Sequence, residues 1–248
     1  MPLLSVTIIT KNEASHIEEV LRSVSWADET IVVDAESTDD TVAIARRAAT
    51  RVLVRPWHGY GDQKNFAASV AHNDWILSVD ADERVTPELR EEIRRTLTSE
   101  PTARGFQIPR ITYHLGRWIR STDWYPDYQL RLYDRRHARW NDRHVHESVA
   151  VDGPVQRLRG ELQHLAYRDL SHHLETIDRY TTLAALQMYE QGRRASMVDL
   201  IVHPPLAFLR NYILRAGFRD GSAGLIISLV NSYYVMLKFA KLWERQSR

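Results

Sequence analysis

No cysteine occurs among the 248 residues, which excludes disulfides and thiolate metal sites and fits a reducing compartment. Glycine is scarce, ten in all. No glycine-rich segment precedes a lysine or follows the first β-rich run, so the phosphate cradles of P-loop and dinucleotide-binding folds are missing. Neither sign of charge is in excess: 33 Lys and Arg stand against 32 Asp and Glu, a net charge of +1, with no electrostatic footprint for nucleic acid. The start, "MPLLSVTIITKNEAS", has no basic segment ahead of its apolar run, and no signal peptide is expected. There is no internal repeat and no low-complexity stretch. What remains is 44% hydrophobic and 26% charged, ordinary for a globular chain long enough for one large domain or a domain with an appended subdomain.

The first hundred residues alternate two periods. "LLSVTIIT", "ETIVVDA", "RVLVRP" and "DWILSVD" are short β-rich runs. Between them, "ASHIEEVLRSV" places Ile17, Val20, Leu21 and Val24 on one helical face. "STDDTVAIARRAA" offers Ser37, Thr38 and Asp39 as caps, and "DQKNFAASVAH" reads as another helix. "TPELREEIRRTLTS" opens with Thr86 at the cap and Pro87 at the first helical position. Nearly continuous apolar strands alternating with helices predict an α/β fold: a mostly parallel sheet with helices on both faces. Ligands of such sheets sit beyond the carboxyl ends of the strands, which brings together 10–13, 34–39 and 80–83. From Gly105 the texture turns to mixed or antiparallel β pieces, and from about Asp169 it is helical to the end. The expected division is 1–167, with a first half to residue 100 and a second half 101–167, followed by a helical region 168–248.

"NDWILSVDADERV" delivers Asp80, Asp82 and Glu83 to the end of one strand. Two like charges about 4 Å apart repel by roughly 4 kcal/mol at an effective dielectric near 20, so a cation or a helix N-terminus is expected there. Oxygen ligands with positions left for phosphate suit Mg²⁺ or Mn²⁺. Capping of the helix at Pro87 is the competing reading, although Asp80 and Asp82 come too early for it.

These motifs, in the order "TIITKNEASHIEEVLRSV", "ADETIVVDAESTDDT", "WHGYGDQKN" and "DWILSVDADERV", resemble the family 2 glycosyltransferases of GT-A (Rossmann-like) fold. The fit is nearest the branch of lipopolysaccharide-core β-1,4-glucosyltransferase-like proteins. It is strongest over 3–85 and continues more weakly through "GRWIRSTDWYPDYQLRLYDRR", "VHES" and "NYILRAGFRDGSAGL". The resemblance implies an inverting, metal-dependent hexosyltransferase that moves one sugar from a UDP-sugar to a glycolipid or saccharide acceptor of the cell envelope. Thr10, Asn12, Glu13, Asp34, Asp39, Lys64 and Asp80 would then line the nucleotide-sugar pocket. Asp34 and Asp39 serve equally as turn and helix caps, and Lys64 as a surface lysine. Asp82 would be the principal metal ligand, with Asp80 and His146 as further ligands, His146 being equally a structural histidine.

Asp127 falls where the family's catalytic base belongs, with Asp123 as the alternative and a turn aspartate as the bland reading. Trp124 and Tyr125 are sugar platforms or core aromatics. Processive synthases of this fold carry Gln-x-x-Arg-Trp where this chain has "QLRLY", which favours transfer of a single sugar. His164, His172 and His173 receive no role. A sugar-phosphate nucleotidylyltransferase shares the sheet and the carboxylates but needs a glycine-rich segment where "TKNEAS" stands; a catalytically silent nucleotide-sugar-binding protein is the other alternative. Finally, "SAGLIISLVNSYYVML" carries no charge and has basic borders. It is short of a spanning helix, and suits peripheral attachment over 204–243 to the inner face of the cytoplasmic membrane. The same run could instead form a packed hairpin or the contact of a homo-oligomer.

Overall fold

The computed structural model describes residues 2–99, 101–141 and 148–247. The chain forms two compact units, one of residues 1–110 and 128–164 and the other of 111–127 and 165–248. The segment 111–127, which the sequence reading put with the sheet, groups with the C-terminal helices.

The first unit is built on a mixed sheet. Strands β1 (Leu4–Thr10), β2 (Glu29–Asp34), β3 (Arg51–Val54) and β4 (Trp75–Asp80) run parallel, β1 being flanked by β2 and β4. A short β5 (Glu83–Val85) follows at once, and β6 (Gly105–His114) begins in this unit and ends in the second. The two-residue β7 (Arg117–Trp118) belongs to the second unit. β8 (Asp127–Asp134) enters antiparallel to β4, with Leu132 opposite Leu77. β9 (Ala138–Trp140) pairs with β10 (Val149–Val151), β11 (Val155–Arg157) runs parallel to β6, and β12 (Leu162–His164) is antiparallel to β5. The sheet order is β3-β2-β1-β4-β8-β6-β12-β5.

Helices cover both faces because β1, β2 and β4 are apolar on both. Leu4, Val6 and Ile8 of β1 pack with Ile17, Val20 and Leu21 of α1 (Ile17–Ser23) and with Leu89, Ile93 and Leu97 of α4 (Pro87–Thr98). On the opposite face, Ile9, Ile31 and Val33 pack with Ala67 and Ala68 of α3 (Tyr60–Ser69); α2 (Thr41–Ala45) adds Ala45 to the first cluster. The cap read from "TPEL" is present: the Thr86 hydroxyl accepts the Leu89 N–H at 3.2 Å.

The second unit is helical. α5 (Leu170–Glu190) starts at Asp169, whose carboxylate accepts the His172 N–H at 2.8 Å. Next come α6 (Met197–Ile201), α7 (His203–Leu209), a π-helical turn at Arg210–Leu214, a 3₁₀ turn at Gly217–Asp220 and the long α8 (Gly221–Gln246). Gly224 is required where α8 meets that 3₁₀ turn, since a Cβ there would lie 1.8 Å from the Gly217 carbonyl oxygen. Asp220 ties the 111–127 segment to α8 by accepting the Arg120 N–H at 2.9 Å and the Ser121 hydroxyl at 2.5 Å.

An aromatic cluster of His114, Trp124, Tyr167 and His173 occupies this unit, with Trp124 stacked on Tyr167 at 5.5 Å. Here Trp124 is a packing aromatic. His114 Nε2 and His173 Nδ1 lie 3.2 Å apart and share one hydrogen, so at least one of the two rings is neutral. Burial first, then His114 and His172, push His173 down to about 4, and burial also lowers His114. A histidine depressed in the fold stabilises it fully above its unfolded value and progressively less as pH falls toward its folded one. Urea midpoints should therefore drop between pH 6.5 and 4, and His173→Gln should flatten that drop. An unchanged slope in the variant would assign the acid sensitivity elsewhere.

Candidate functional site

The carboxyl ends of β1, β2 and β4 converge as the alternation predicts, and hydrogen bonds stitch their loops. Asn12, in a left-handed conformation at φ 55°, donates its N–H to Ser37 Oγ at 2.8 Å and accepts the Thr38 N–H on Oδ1 at 2.9 Å. The Glu13 N–H donates to Thr41 Oγ1 at 2.8 Å, and the Ala14 N–H to Asp39 at 3.2 Å. Asp34 is fully buried and accepts both the N–H (2.8 Å) and the hydroxyl (2.5 Å) of Ser37. Asp39 accepts the N–H and hydroxyl of Thr41, which hold its carboxyl below the usual range. Asp34 thus holds the turn at Ser37, and Asp39 the first residue of α2, whose cap position is Asp40. The Thr10 hydroxyl is buried at the end of β1 with no partner among the described residues.

At the end of β4 an ionic network is built under the carboxylates. Asp80 meets Lys64 Nζ at 2.9 Å through one oxygen and Arg131 Nη2 at 2.5 Å through the other. Arg131 also reaches Glu83 at 2.7 Å, Arg110 approaches the same Glu83 oxygen at 3.3 Å, and the second Glu83 oxygen accepts the Asp80 N–H at 3.0 Å. Lys64, Glu83 and Arg131 are all buried, at 2%, 0% and 3% exposure. Trp140 closes one side, its ring 4.3 Å from Lys64 Nζ and its indole N–H donating to Tyr133 at 3.0 Å. Burial alone would raise the Asp80 carboxyl, but Arg131 and then Lys64 hold it well below the usual range. Burial opposes the charge on Arg131 in the same way, and Asp80 and Glu83 secure it. Lys64 is therefore no surface lysine: the α3 start places it inside the sheet edge.

Asp82 projects from the turn between β4 and β5. His164 Nε2 lies 3.2 Å from its Oδ2, because β12 pairs with β5 in the register that sets His164 opposite Glu83. Burial would raise the Asp82 carboxyl, but the hydrogen bond from His164 lowers it. Glu13, by contrast, is pushed up to about 7 by burial, with Asp82 and Asp39 adding to the effect. Three carboxylates thus crowd one side of the edge while the cations sit under Asp80. Among the described residues no group of three or more His, Asp or Glu side chains is arranged to hold a metal ion. Asp82 and His164 do supply an oxygen and a nitrogen donor beside an excess of negative charge. Such a set fits Mg²⁺ or Mn²⁺ held partly by protein and partly by a bound phosphate. Asp80, with both oxygens engaged, would have to release a cation to join it. His146 lies outside the described residues.

Asp127, the first residue of β8, groups with the second unit. Asp123, in the same unit, is ion-paired with Arg210 at 3.1 Å and Arg215 at 3.5 Å and accepts from the Asn211 amide at 3.1 Å.

Three residues that matter here went without a role in the sequence reading: Glu83, Arg131 and His164. A signal existed for Arg131, an arginine flanked by Leu130 and Leu132 in a strand, which a buried carboxylate must answer. His164 had none, since only the β5–β12 register brings it to Asp82.

The family described as glycosyl transferase family 2 matches residues 5–152. An uncharacterized glycosyltransferase of Rickettsia prowazekii is 33% identical over 254 residues, covering 98% of this chain and 87% of the relative. A lipopolysaccharide core biosynthesis glycosyltransferase, LpsC of Rhizobium meliloti, is 31% identical over 251 residues, 98% of this chain and 93% of the relative. Among solved structures, residues 1–349 of Staphylococcus aureus TarS align over 99% of this chain and 92% of that one, at 15% identity and a TM-score of 0.49, a likeness too slight to inform the site.

Removing one member of a buried ion network typically costs about 3–5 kcal/mol, because its partners are left charged and unpaired. Arg131→Met should lower unfolding free energy in urea by about that amount, and adding Glu83→Gln should recover part of it. A loss under about 1 kcal/mol in the single variant would mean that Arg131 does not hold the carboxylates together.

Proposed function

The chain belongs to glycosyltransferase family 2, and on that premise we propose that it is an inverting hexosyltransferase moving one sugar from a UDP-sugar to a glycolipid of the cell envelope, such as lipopolysaccharide core. The observation that carries the donor side is the arrangement at the end of β4. Asp80 is immobilised between Lys64 and Arg131, and Asp82 faces outward beside His164. A carboxylate fixed by two cations offers a rigid acceptor for ribose hydroxyls, and rigidity of this kind is what positioning requires. Thr10, Asn12, Glu13, Asp34 and Asp39 complete the nucleotide side. Asp34 and Asp39 act there through the loops they hold as much as by direct contact. Asp82, with His164 and with His146 as a further candidate, would hold Mg²⁺ or Mn²⁺; when bound, the cation supplies charge neutralisation for the pyrophosphate.

In the transfer, an acceptor hydroxyl attacks the anomeric carbon from the face opposite the leaving group. The bond from that carbon to the UDP oxygen breaks as the new glycosidic bond forms, and the configuration inverts. The hydroxyl proton goes to Asp127. Asp123 is unsuited to that role, since Arg210, Arg215 and Asn211 already claim its oxygens. The similarity to LpsC over nearly the whole chain supports an acceptor in lipopolysaccharide core. An enzyme of that kind works from the cytoplasmic side, at the inner face of the membrane where such acceptors are assembled.

Asp127→Asn keeps the shape of the side chain and removes its ability to take a proton. Loss of general-base help typically costs about 10²–10⁴ in rate. Turnover should fall by that factor while UDP affinity, measured by calorimetry, stays within a few-fold of wild type. Asp123→Asn should retain most of its turnover. Normal turnover in Asp127→Asn would remove Asp127 from the chemistry. Inactivity of Asp123→Asn alone would move the base there.

A further inference from the structure

The sequence suits 204–243 to peripheral membrane attachment, and exposure within that stretch and just before it singles out one part. By length and composition the helical stretch Gly217–Gln246 could cross a membrane. Within its own unit, however, α8 is pinned. Lys241 Nζ donates to the Asp178 carbonyl at 2.6 Å and to the Thr181 and Thr182 hydroxyls at 2.9 and 2.7 Å, all on α5. Near its other end Gly224 lies against the Gly217 carbonyl. Gln246 brackets Ala195 with two hydrogen bonds of 2.8 Å.

α8 still exposes Leu225, Leu229, Tyr233 and Met236 at 38–53%, and the segment before it exposes its apolar side chains more fully. α6, α7 and the π-helical turn run almost continuously from Met197 to Leu214: the Val202 N–H donates to Val198 and the Leu206 N–H to Val202, bridging the two helices. Residues four apart on a helix share a face. Here Asp199, Pro204 and Asn211 are buried. Val198, Ile201, Leu206, Leu209, Ile213 and Leu214 are between 49% and 79% exposed. Scattered apolar side chains are normal on a surface, but a contiguous ridge is not.

Charge identifies what covers the ridge. From Ser196 to Trp243 only two carboxylates occur, Asp199 and Asp220, and both are buried at 4% exposure. Arg210, Arg215 and Arg219 are exposed beside the ridge, and the first two share a single carboxylate, Asp123. An apolar ridge bordered by three exposed arginines against one exposed acid, Asp123, matches a leaflet with anionic headgroups over apolar chains. A second copy of the chain would instead set the same arginine border against itself in a two-fold contact.

We propose that the Met197–Leu214 ridge docks this protein on an anionic lipid surface, lying in the interface without crossing it. The inference rests on the glycolipid-acceptor reading, for which it gives the surface that meets the lipid. Arg219 and the flanking arginines engage headgroup phosphates while Ile201, Leu206 and Leu214 enter the acyl boundary.

Flotation with phosphatidylglycerol/phosphatidylethanolamine vesicles, against phosphatidylcholine alone, tests it. The full chain should float with the anionic vesicles and be released by alkaline extraction. Leu206→Glu with Leu214→Glu should lower the partition at least about tenfold, and Arg219→Glu by less, with thermal midpoints and UDP affinity unchanged. Leu229→Glu, on the exposed side of α8, should float as wild type. Undiminished flotation of the double variant, or resistance to alkaline extraction, would overturn the ridge in favour of α8. A concentration-dependent dimer in sedimentation that the double variant abolishes would make the ridge a contact between copies and overturn the proposal. Transfer to a soluble acceptor saccharide reads the catalytic assignment separately. Activity without flotation would remove the docking face alone, and flotation without UDP release from any donor would remove the transferase reading alone.

Discussion

The site depends on one buried interaction, the grip of Arg131 on Asp80 and Glu83. β4 ends on an aspartate because ligands of parallel sheets sit beyond the strand ends, and three carboxylates within four residues would repel one another without a counter-charge. Arg131 comes from β8, the strand antiparallel to β4, so the sheet itself brings the cation to the carboxylates. Lys64 adds a second cation from α3, and Trp140 closes over it. A buried ionic group contributes little net stability when all its partners are satisfied. Its contribution here is position: it holds Asp80 still and leaves Asp82 to face outward.

From that point the chemistry follows by charge. The cations sit beneath Asp80, and at the outer edge burial first, then Asp82 and Asp39, push Glu13 up to about 7. A divalent cation would relieve the crowding of Glu13, Asp39 and Asp82, and the diphosphate of a nucleotide-sugar would bring the negative charge that such a cation neutralises. The loops after β1 and β2 are locked by Asn12, Asp34, Ser37 and Thr41 before any ligand arrives. A nucleotide pocket on these loops would be preorganised, which lowers the entropic cost of binding.

Much of the fold was legible because its strands are apolar on both faces and its helices announce themselves by caps and period. The Thr86–Pro87 start lies where the sequence puts it, and the helical region read from about Asp169 begins with α5 at Leu170. The convergence of 10–13, 34–39 and 80–83 follows from the alternation alone. What could not be read was whatever depends on register between distant strands. His164 reaches Asp82 only because β12 pairs with β5, and Arg131 reaches Asp80 only because β8 lies beside β4. The grouping of 111–127 with the C-terminal helices was hidden for the same reason: Asp220 claims Arg120 and Ser121 across a hundred residues of sequence. Hydropathy registers composition, while exposure depends on what a helix packs against: within 204–243 exposed apolar side chains lie before α8, at Leu206, Leu209, Ile213 and Leu214, and on it, at Leu225, Leu229 and Met236.

The central claim is that the β4 edge binds a nucleotide-sugar from which one sugar is transferred. A donor screen reads it most directly: the chain is incubated with each of a set of sugar nucleotides, envelope lipids as acceptors and Mg²⁺ or Mn²⁺, and release of the nucleoside diphosphate is measured. The account predicts acceptor-dependent release of UDP from a UDP-hexose, with loss of that release in Asp82→Ala. No release from any sugar nucleotide, or release that is indifferent to Asp82, would contradict it.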